Sequence, residues 1–253
     1  MKNRVGLLLL LLVTLCLVSC QTDQSEIEEV LETETLKLQI TPELTHWMPR
    51  VAECVTPIPG LAILTDIQPQ AAHNLAQTNL VLRTGTPQEE DPFVALMGYE
   101  TMDIIAGRDV PVESISLSTL QAIFSGNLKN WNEVPEISES ALVYDAPIIT
   151  VSYPTGHPLR NFFQDNLLSE EMIQSNPLIF STSERLKGLL DEHPSAIAYF
   201  LNSQIPEGIK MLAVTGDDQP RLQMPVLAVT RTEPTGNLQK FLLCLQNNSL
   251  SSP

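Results

Sequence analysis

Hydrophobic positions fall into short apolar runs that are separated by turn residues. Residues 36–40 alternate apolar and polar side chains, which predicts a half-exposed strand. Residues 147–152 form an uncharged, β-branched run, which predicts a buried strand of a parallel sheet. Apolar runs at residues 62–67, 79–85 and 93–99 predict three further strands. Since predicted helices separate several of these strands, the pattern indicates an α/β fold.

Several predicted strands end in polar residues at the start of a predicted helix. Thr41 follows the first strand, with Pro42 at the first helical position. Thr155, Gly156 and His157 follow the strand at residues 147–152 in the same way. Backbone N–H groups at such a position favour an anion, and the nearby side chains add donors. The alternative is an ordinary strand–helix connection without a ligand.

The amino-terminal residues indicate export and lipid anchoring. Lys2 and Arg4 precede an apolar run over residues 5–18, and Ser19 and Cys20 follow. We expect residues 1–20 to form a lipoprotein signal peptide with Cys20 as the lipidated position. The alternatives are a plain signal peptide or a short membrane anchor. The expected location is the extracytoplasmic face of the cell membrane, with the Glu-rich residues 21–35 as an acidic tether.

Charge and cysteine content narrow the classes of partner. The chain has 30 acidic and 14 basic residues, which argues against nucleic acid and against an anionic membrane surface. A small anionic ligand remains compatible, because local N–H groups and hydroxyls bind anions whatever the net charge. After processing, Cys54 and Cys244 remain, either as a disulfide or as two free thiols.

Two classes of chemistry lack their usual sequence signatures. The four histidines are not spaced as a metal-binding pair, so no metal site is predicted. The chain has neither a Gly-x-Ser-x-Gly elbow nor a local Cys–His signature, so no hydrolase is predicted. We expect no enzymatic activity and no cofactor.

A motif in the middle of the chain resembles a known family. Residues 123–126 read Ile-Phe-Ser-Gly and are followed after a short gap by Asn130 and Trp131, which resembles a signature of the phosphate-binding receptors of ABC importers. The resemblance continues through residues 147–163, through the segment at 193–200 that ends in Ala-Tyr-Phe, and into the late strands. It covers about residues 36–248.

The resemblance implies a two-lobe, type 2 periplasmic-binding-protein-like fold with two crossing strands and a ligand cleft. We expect residues 36–92 and 224–253 in the first lobe and residues 93–223 in the second. In the family, the loop after the strand at 147–152 reads Arg-x-x-Gly-Ser-Gly-Thr. Here Gly156 matches the first Gly, while His157, Pro158 and Leu159 replace the next three residues and Tyr153 replaces the Arg.

Other site residues are implied only by the resemblance. Asn79 falls near a family Asp that accepts the proton of hydrogen phosphate, and Arg83 is a candidate source of the missing positive charge. Ser181 falls near a serine that faces the cleft, and otherwise starts a helix with Glu184 in a capping box. The candidate ligand-binding residues are Thr41, Thr45, Asn79, Arg83, Thr84, Thr155, Gly156, His157, Arg160 and Ser181.

These observations predict a monomeric, lipid-anchored solute-binding protein that passes an oxyanion to an ABC permease. The alternative is a degenerate receptor scaffold or sensor that acts through protein interaction. Since the loop has lost several donors, we expect weak or absent phosphate binding at neutral pH. Protonation of His157 should raise any oxyanion affinity toward pH 6.

Overall fold

The computed structural model describes residues 33–137, 144–168, 173, 176–216 and 222–250, with side chains described to residue 247. The predicted signal peptide with Cys20, and the tether up to residue 32, lie outside these residues. The first strand begins at Glu34, two residues inside the predicted tether.

The described residues form strands and short helices in alternation. The strands are β1 (Glu34–Ile40), β2 (Leu61–Ile67), β3 (Leu80–Thr84), β4 (Phe93–Ala106), β5 (Ser114–Ser116), β6 (Ile149–Ser152), β7 (Leu178–Ile179), β8 (Ala196–Leu201), β9 (Lys210–Thr215) and β10 (Gln223–Thr230). The helices are α1 (Met48–Val55), α2 (Leu117–Phe124), α3 (Pro158–Phe163), α4 (Ser183–Glu192) and α5 (Gly236–Leu250). Short 3₁₀ segments cover Pro42–Trp47, Gln70–Ala72, Trp131–Glu133 and Asn202–Gln204, and a π-helical turn, Gln164–Leu168, continues α3.

The strands join in the order β2-β1-β3-β10-β4-β8-β6-β7, and β9 pairs with both β4 and β5. β1, β2 and β3 run parallel to one another, whereas β10 is antiparallel to β3 and β4. β6 is parallel to both β7 and β8. Because β1 and β3 are parallel neighbours, the residues that follow them emerge at the same edge of the sheet.

β4 runs through both halves of the molecule. Its first part, up to Thr101, pairs with β10, and its second part, from Met102, pairs with β8 and β9. Separate clusters of buried side chains lie on the two sides of this change of partner. The α/β fold with two lobes, predicted from the sequence, is therefore confirmed. The division of the lobes at residues 92/93 and 223/224 stays a prediction.

The smaller cluster joins β1, β3 and β10 to α1 and α5, and a disulfide between Cys54 and Cys244 links the two helices. This settles the choice that the sequence left open between a disulfide and two thiols. In the larger cluster Trp131 is fully buried, and its indole N–H donates to the carbonyl oxygen of Ser195 at 2.7 Å. The family-like Asn-Trp motif thus has a packing role.

Two predicted helices differ from the observed ones. The helix expected after Thr41 begins as a 3₁₀ segment and becomes α-helical only from Met48, with Pro49 in the first turn of α1. Since proline has no N–H, it fits a helix start and interrupts a continuing helix. After β2 the polar sequence predicts a short helix that reaches Gln77, but the structure has only the 3₁₀ segment Gln70–Ala72 there.

Candidate functional site

The carboxyl ends of β1 and β3 place two buried threonines side by side at one edge of the sheet. The backbone N–H of Thr41 donates to the carbonyl oxygen of Leu82 at 3.1 Å, which joins the two strand ends. Thr41 and Thr84 are fully buried, and neither hydroxyl has a hydrogen-bond partner among the described residues. Buried hydroxyls are normally paired, so two unpaired ones at a strand edge mark a candidate ligand position.

The loop after β6 presents the turn that the sequence predicted. Gly156 has a φ of 82°, a left-handed conformation that residues with a Cβ adopt only with strain. His157 caps α3, and its Nδ1 accepts a hydrogen bond from the backbone N–H of Leu159 at 3.3 Å. An accepting Nδ1 places the proton of the neutral ring on Nε2, and in the protonated ring Nε2 keeps its proton while Nδ1 gives up the bond from Leu159.

Glu43 is the partner of that proton. Its Oε1 lies 3.0 Å from His157 Nε2, and the Glu43 side chain is 10% exposed. Burial raises the pKa of Glu43, but the hydrogen bond and charge of His157 outweigh this, so its pKa lies below the ordinary value. The second carboxylate oxygen, Oε2, is buried and has no partner among the described residues.

Tyr153 occupies the position at which the family has its arginine. Its ring stacks on His157, with centroids 4.3 Å apart and planes 17° apart. It also packs against Phe180 at 4.3 Å. Burial, and after it the negative charge of Glu43, raise the pKa of Tyr153 far above the ordinary value, so its phenol is neutral. An aromatic contact therefore replaces a cation here.

The two candidate arginines are engaged within the chain. Arg83 is buried, forms an ion pair with Asp91, and donates to the carbonyl oxygen of Thr86 at 3.0 Å. Arg160 lies beneath the loop, where Nη1 donates to the carbonyl oxygen of Tyr153 at 3.1 Å and Nε donates to Gln164 at 3.0 Å. Arg160 therefore supports the loop from beneath, which differs from its predicted role as a cation that contacts the ligand.

Two adjoining cavities meet at His157. One, of about 790 Å³, lies between the β3 end and the loop after β6, and the other, of about 740 Å³, lies beside Glu43. Of the predicted residues, the first cavity is lined by Arg83, Thr84, Thr155, Gly156 and His157. The second is lined by Thr45, His157 and Ser181. The structure therefore brings most of the predicted site residues to one cleft.

Two polar residues of the second cavity have other local roles. The Thr45 hydroxyl donates to the carbonyl oxygen of Pro42 at 3.0 Å, so it also stabilises its own turn. Ser181 is exposed, and the N-cap of α4 is Thr182, whose hydroxyl accepts from the backbone N–H of Arg185 at 3.2 Å. The capping box proposed for Ser181 with Glu184 is therefore wrong, because the helix begins one residue later.

Asn79 is a predicted site residue that the structure places away from the cleft. It precedes β3, so it lies at the opposite end of that strand from Thr84. Its Oδ1 accepts a hydrogen bond from the backbone N–H of Lys37 at 2.8 Å, and it borders a separate cavity with Lys37 and Asp66. The structure therefore gives Asn79 a contact to the neighbouring strand.

Sequence reasoning missed the two carboxylates that hold the cleft together. From the sequence, Glu43 is typical of an acidic residue in the first turn of a helix, although its position two residues after Thr41 places it at a predicted binding edge. Glu100, on β4, accepts from Trp47 Nε1 at 2.7 Å and Ser203 Oγ at 2.7 Å, and lies 2.8 Å from His46 Nε2. No local pattern reveals Glu100, because its partners are far away in sequence.

Comparison with known proteins identifies the family. A family model described as the PBP superfamily domain matches residues 83–235. The chain belongs to the PBP superfamily. The matched region includes β4, the loop after β6 and β10, so it contains the crossing strand and the His157 side of the candidate cleft, whereas Thr41 and Glu43 precede it.

Solved structures share the PBP-superfamily fold across most of the chain. A putative phosphate ABC transporter substrate-binding protein from Clostridium perfringens, with bound phosphate, is 21% identical with a TM-score of 0.69, over 84% of this chain and 93% of that one. An ABC-type phosphate transport receptor from Vibrio cholerae is 13% identical with a TM-score of 0.64, over 86% and 96%. The CcmR regulatory domain of Synechocystis PCC6803, in complex with 2-PG, is 15% identical with a TM-score of 0.60, over 87% and 99%.

Two further findings concern metals and membranes. Among the described residues, no group of three or more His, Cys, Asp or Glu side chains is placed to hold a metal ion. Within the same residues, no helix has the length and apolar content needed to cross a membrane.

Proposed function

We propose that this chain is an extracytoplasmic solute-binding protein that captures a small oxyanion in the cleft at His157. The observation that carries the proposal is the pair of buried, unpartnered hydroxyls of Thr41 and Thr84 at one edge of the sheet, with Thr84 facing the cavity that the loop after β6 borders. Hydroxyl donors in a protected cleft suit an oxyanion. The phosphate bound to the Clostridium perfringens protein of the same fold supports this ligand class.

The proposed mechanism is capture by closure without chemistry. The two lobes move about the crossing strand, and ligand is held between the β1 and β3 ends on one side and Thr155 and Gly156 on the other. The protein then acts as a monomer that delivers the ligand to an ABC permease. We propose the same lobe division as the sequence predicts, at residues 92/93 and 223/224.

Affinity for phosphate is expected to be weak at pH 8. Arg83 is paired with Asp91, and both ring nitrogens of His157 are engaged within the chain. Protonation of His157 adds positive charge beside the cleft, so oxyanion affinity should rise toward pH 6. Calorimetric titrations at pH 8 and pH 6 on the wild type and H157Q test this. Submicromolar phosphate binding at pH 8, unchanged in H157Q, would show that the ligand lies elsewhere.

Thr84→Val separates ligand contact from folding. Because the Thr84 hydroxyl has no partner, its replacement by a methyl group should leave the free energy of unfolding unchanged or slightly raised. The same change should weaken oxyanion binding at least tenfold. Thr101→Val, on an exposed position of β4, is the matched control and should alter neither. If T84V binds oxyanions as tightly as the wild type, the Thr84 hydroxyl does not contact the ligand.

Membrane attachment is proposed to depend on Cys20. Once the residues before it are removed, the acyl chains are the expected hydrophobic anchor. Metabolic palmitate labelling should therefore be lost in Cys20→Ala and retained in Cys16→Ala. Equal labelling of both variants and the wild type would refute the proposed anchor.

A ligand-independent sensor or scaffold is the second candidate. It is favoured by the Glu43–His157 ion pair, which joins the two sides of the cleft through the chain's own residues. Thermal stability in a panel of oxyanions discriminates the two, because a ligand that binds only the native state raises the melting temperature. A melting temperature that no oxyanion raises would favour the sensor or scaffold.

A further inference from the structure

The cleft contains a negatively charged side chain, the carboxylate of Glu43. Glu43 lies after β1 and His157 after β6, yet Glu43 Oε1 and His157 Nε2 are 3.0 Å apart. The two side chains are 10% and 23% exposed, so the contact is largely shielded from water. In such a setting, a carboxylate depends on its partner to offset the loss of hydration.

The neighbours of Glu43 keep its charge in the cleft. Its Oε2 is buried without a partner among the described residues, and Tyr153 lies close enough for the Glu43 charge to raise the pKa of its phenol. The arginine that borders the adjoining cavity, Arg83, is already neutralised by Asp91. An external anion that enters beside His157 therefore meets the negative charge of Glu43, while Arg83 is already paired with Asp91 and Arg160 lies beneath the loop.

The backbone of Glu43 has a separate role in holding the cleft together. Its carbonyl oxygen accepts a hydrogen bond from Gln204 Nε2 at 2.6 Å. This contact does not depend on the carboxylate. A change of Glu43 to glutamine therefore removes the charge while it keeps the side-chain length and the bond to Gln204.

We propose that the Glu43 carboxylate acts as an internal counter-anion for His157 and must be displaced or neutralised before an oxyanion binds. This inference rests on the proposed function and adds its regulation. Glu43 then limits the affinity of the cleft for phosphate and for sulfate alike, because its charge opposes both anions. The same ion pair holds the cleft residues together when no ligand is bound.

Calorimetric titration of the purified full chain with phosphate and with sulfate tests the proposal. Glu43→Gln should bind both anions at least tenfold more tightly than the wild type. Glu53→Gln is the matched control, since Glu53 is exposed on α1 and the substitution changes the net charge equally. It should leave both affinities within twofold of the wild type.

If E43Q folds poorly, His157→Gln provides a second test of the proposal. It leaves Glu43 charged without its imidazole partner, so affinity for both anions should fall at least threefold. Melting temperatures of the wild type, E43Q, H157Q and the double variant, measured without ligand, report the ion pair itself. The double variant should melt above H157Q, because E43Q removes the buried carboxylate that H157Q leaves without its partner.

The outcomes separate this inference from the proposed function. If the wild type binds oxyanions and E43Q binds them equally or more weakly, the counter-anion role is overturned and oxyanion capture stays intact. A gain for sulfate together with a loss for phosphate would also overturn it, because Glu43 would then accept a proton from the ligand. Absence of heat with every oxyanion in all variants would overturn the proposed function, and the counter-anion role with it.

Discussion

Replacement of Glu100 by alanine removes the carboxylate that ties three parts of the described structure together. Glu100 lies on β4 and is 8% exposed. It accepts hydrogen bonds from Trp47 Nε1 and Ser203 Oγ, both at 2.7 Å, and contacts His46 Nε2 at 2.8 Å. His46 and Trp47 belong to the segment after β1, and Ser203 belongs to the segment after β8.

The expected cost follows from the charge of the acceptor. A hydrogen bond to a charged group contributes about 1.5–3 kcal/mol, and the three bonds to Glu100 share one acceptor, so they do not add fully. Loss of one partner from a buried ionic network costs about 3–5 kcal/mol, because the remaining polar groups stay buried. We therefore expect Glu100→Ala to lower the free energy of unfolding by about 3–5 kcal/mol. Glu100→Gln, which keeps the shape and an acceptor oxygen, should cost about 1–2 kcal/mol.

Urea unfolding at pH 7, followed by tryptophan fluorescence, measures these losses. Glu113→Ala is the control, since the Glu113 side chain is 85% exposed and pairs with Lys210 at 2.7 Å on the surface. A surface ion pair contributes about 0–1 kcal/mol, so this variant should stay near the wild type. A midpoint for E100A equal to that of E113A would refute the assigned role of Glu100.

Urea unfolding of the wild type and E100Q at acidic pH provides an independent test. Burial raises the pKa of Glu100, but the bonds from His46, Trp47 and Ser203 outweigh it and lower the pKa below its ordinary value. A carboxylate with a lowered folded pKa contributes stability that is present above the unfolded pKa and is lost as pH falls through the folded pKa. Stability of the wild type should therefore fall below about pH 4.5 more steeply than that of E100Q.

Three further predictions concern other parts of the fold. Cys54 and Cys244 are 190 residues apart, so removal of the disulfide in C54A/C244A should lower the free energy of unfolding by roughly 5 kcal/mol, measured in urea. A change below about 1 kcal/mol would contradict a stabilising disulfide. Burial raises the pKa of Tyr199 to about 12, so between pH 10 and pH 12 the free energy of unfolding of the wild type should fall by roughly 2 kcal/mol more than that of Y199F, and parallel alkaline curves would contradict this. A Cβ on Gly107 would lie 2.4 Å from the carbonyl oxygen of Pro194, so G107A should lower the free energy of unfolding by about 1–3 kcal/mol. G188A in α4, where a Cβ meets open space, should not destabilise the protein, and equal stabilities of the two variants would contradict the close approach.

The sequence predicted the parts of the fold that local chemistry determines. Ser116 directly before the mostly apolar residues 117–124 predicts a helix that this serine caps. The structure has this helix as α2, with the Ser116 hydroxyl accepting from the backbone N–H of Thr119. The strand expected at residues 93–99 is present as the first half of β4, which continues to Ala106. These features depend on neighbouring residues, so a single sequence contains enough information to locate them.

The site was predicted less completely, because its decisive contacts are long-range. The edge with Thr41 and Thr84 and the loop with Gly156 follow from the rule that strand ends in a parallel sheet converge. Glu43 and Glu100 acquire their roles only from partners on other elements, and no periodicity indicates them. Asn79 was assigned by resemblance alone, and the structure places it at the far end of β3.

A crystal structure of the full chain soaked with phosphate at pH 6 tests the central claim most directly. We predict a bound oxyanion in the cavity at His157, within hydrogen-bond distance of the Thr84 hydroxyl and of the loop at Thr155 and Gly156, with the Glu43 carboxylate moved away from His157. Phosphate bound at another place, or an unchanged Glu43–His157 ion pair with no phosphate in this cleft, would contradict the account.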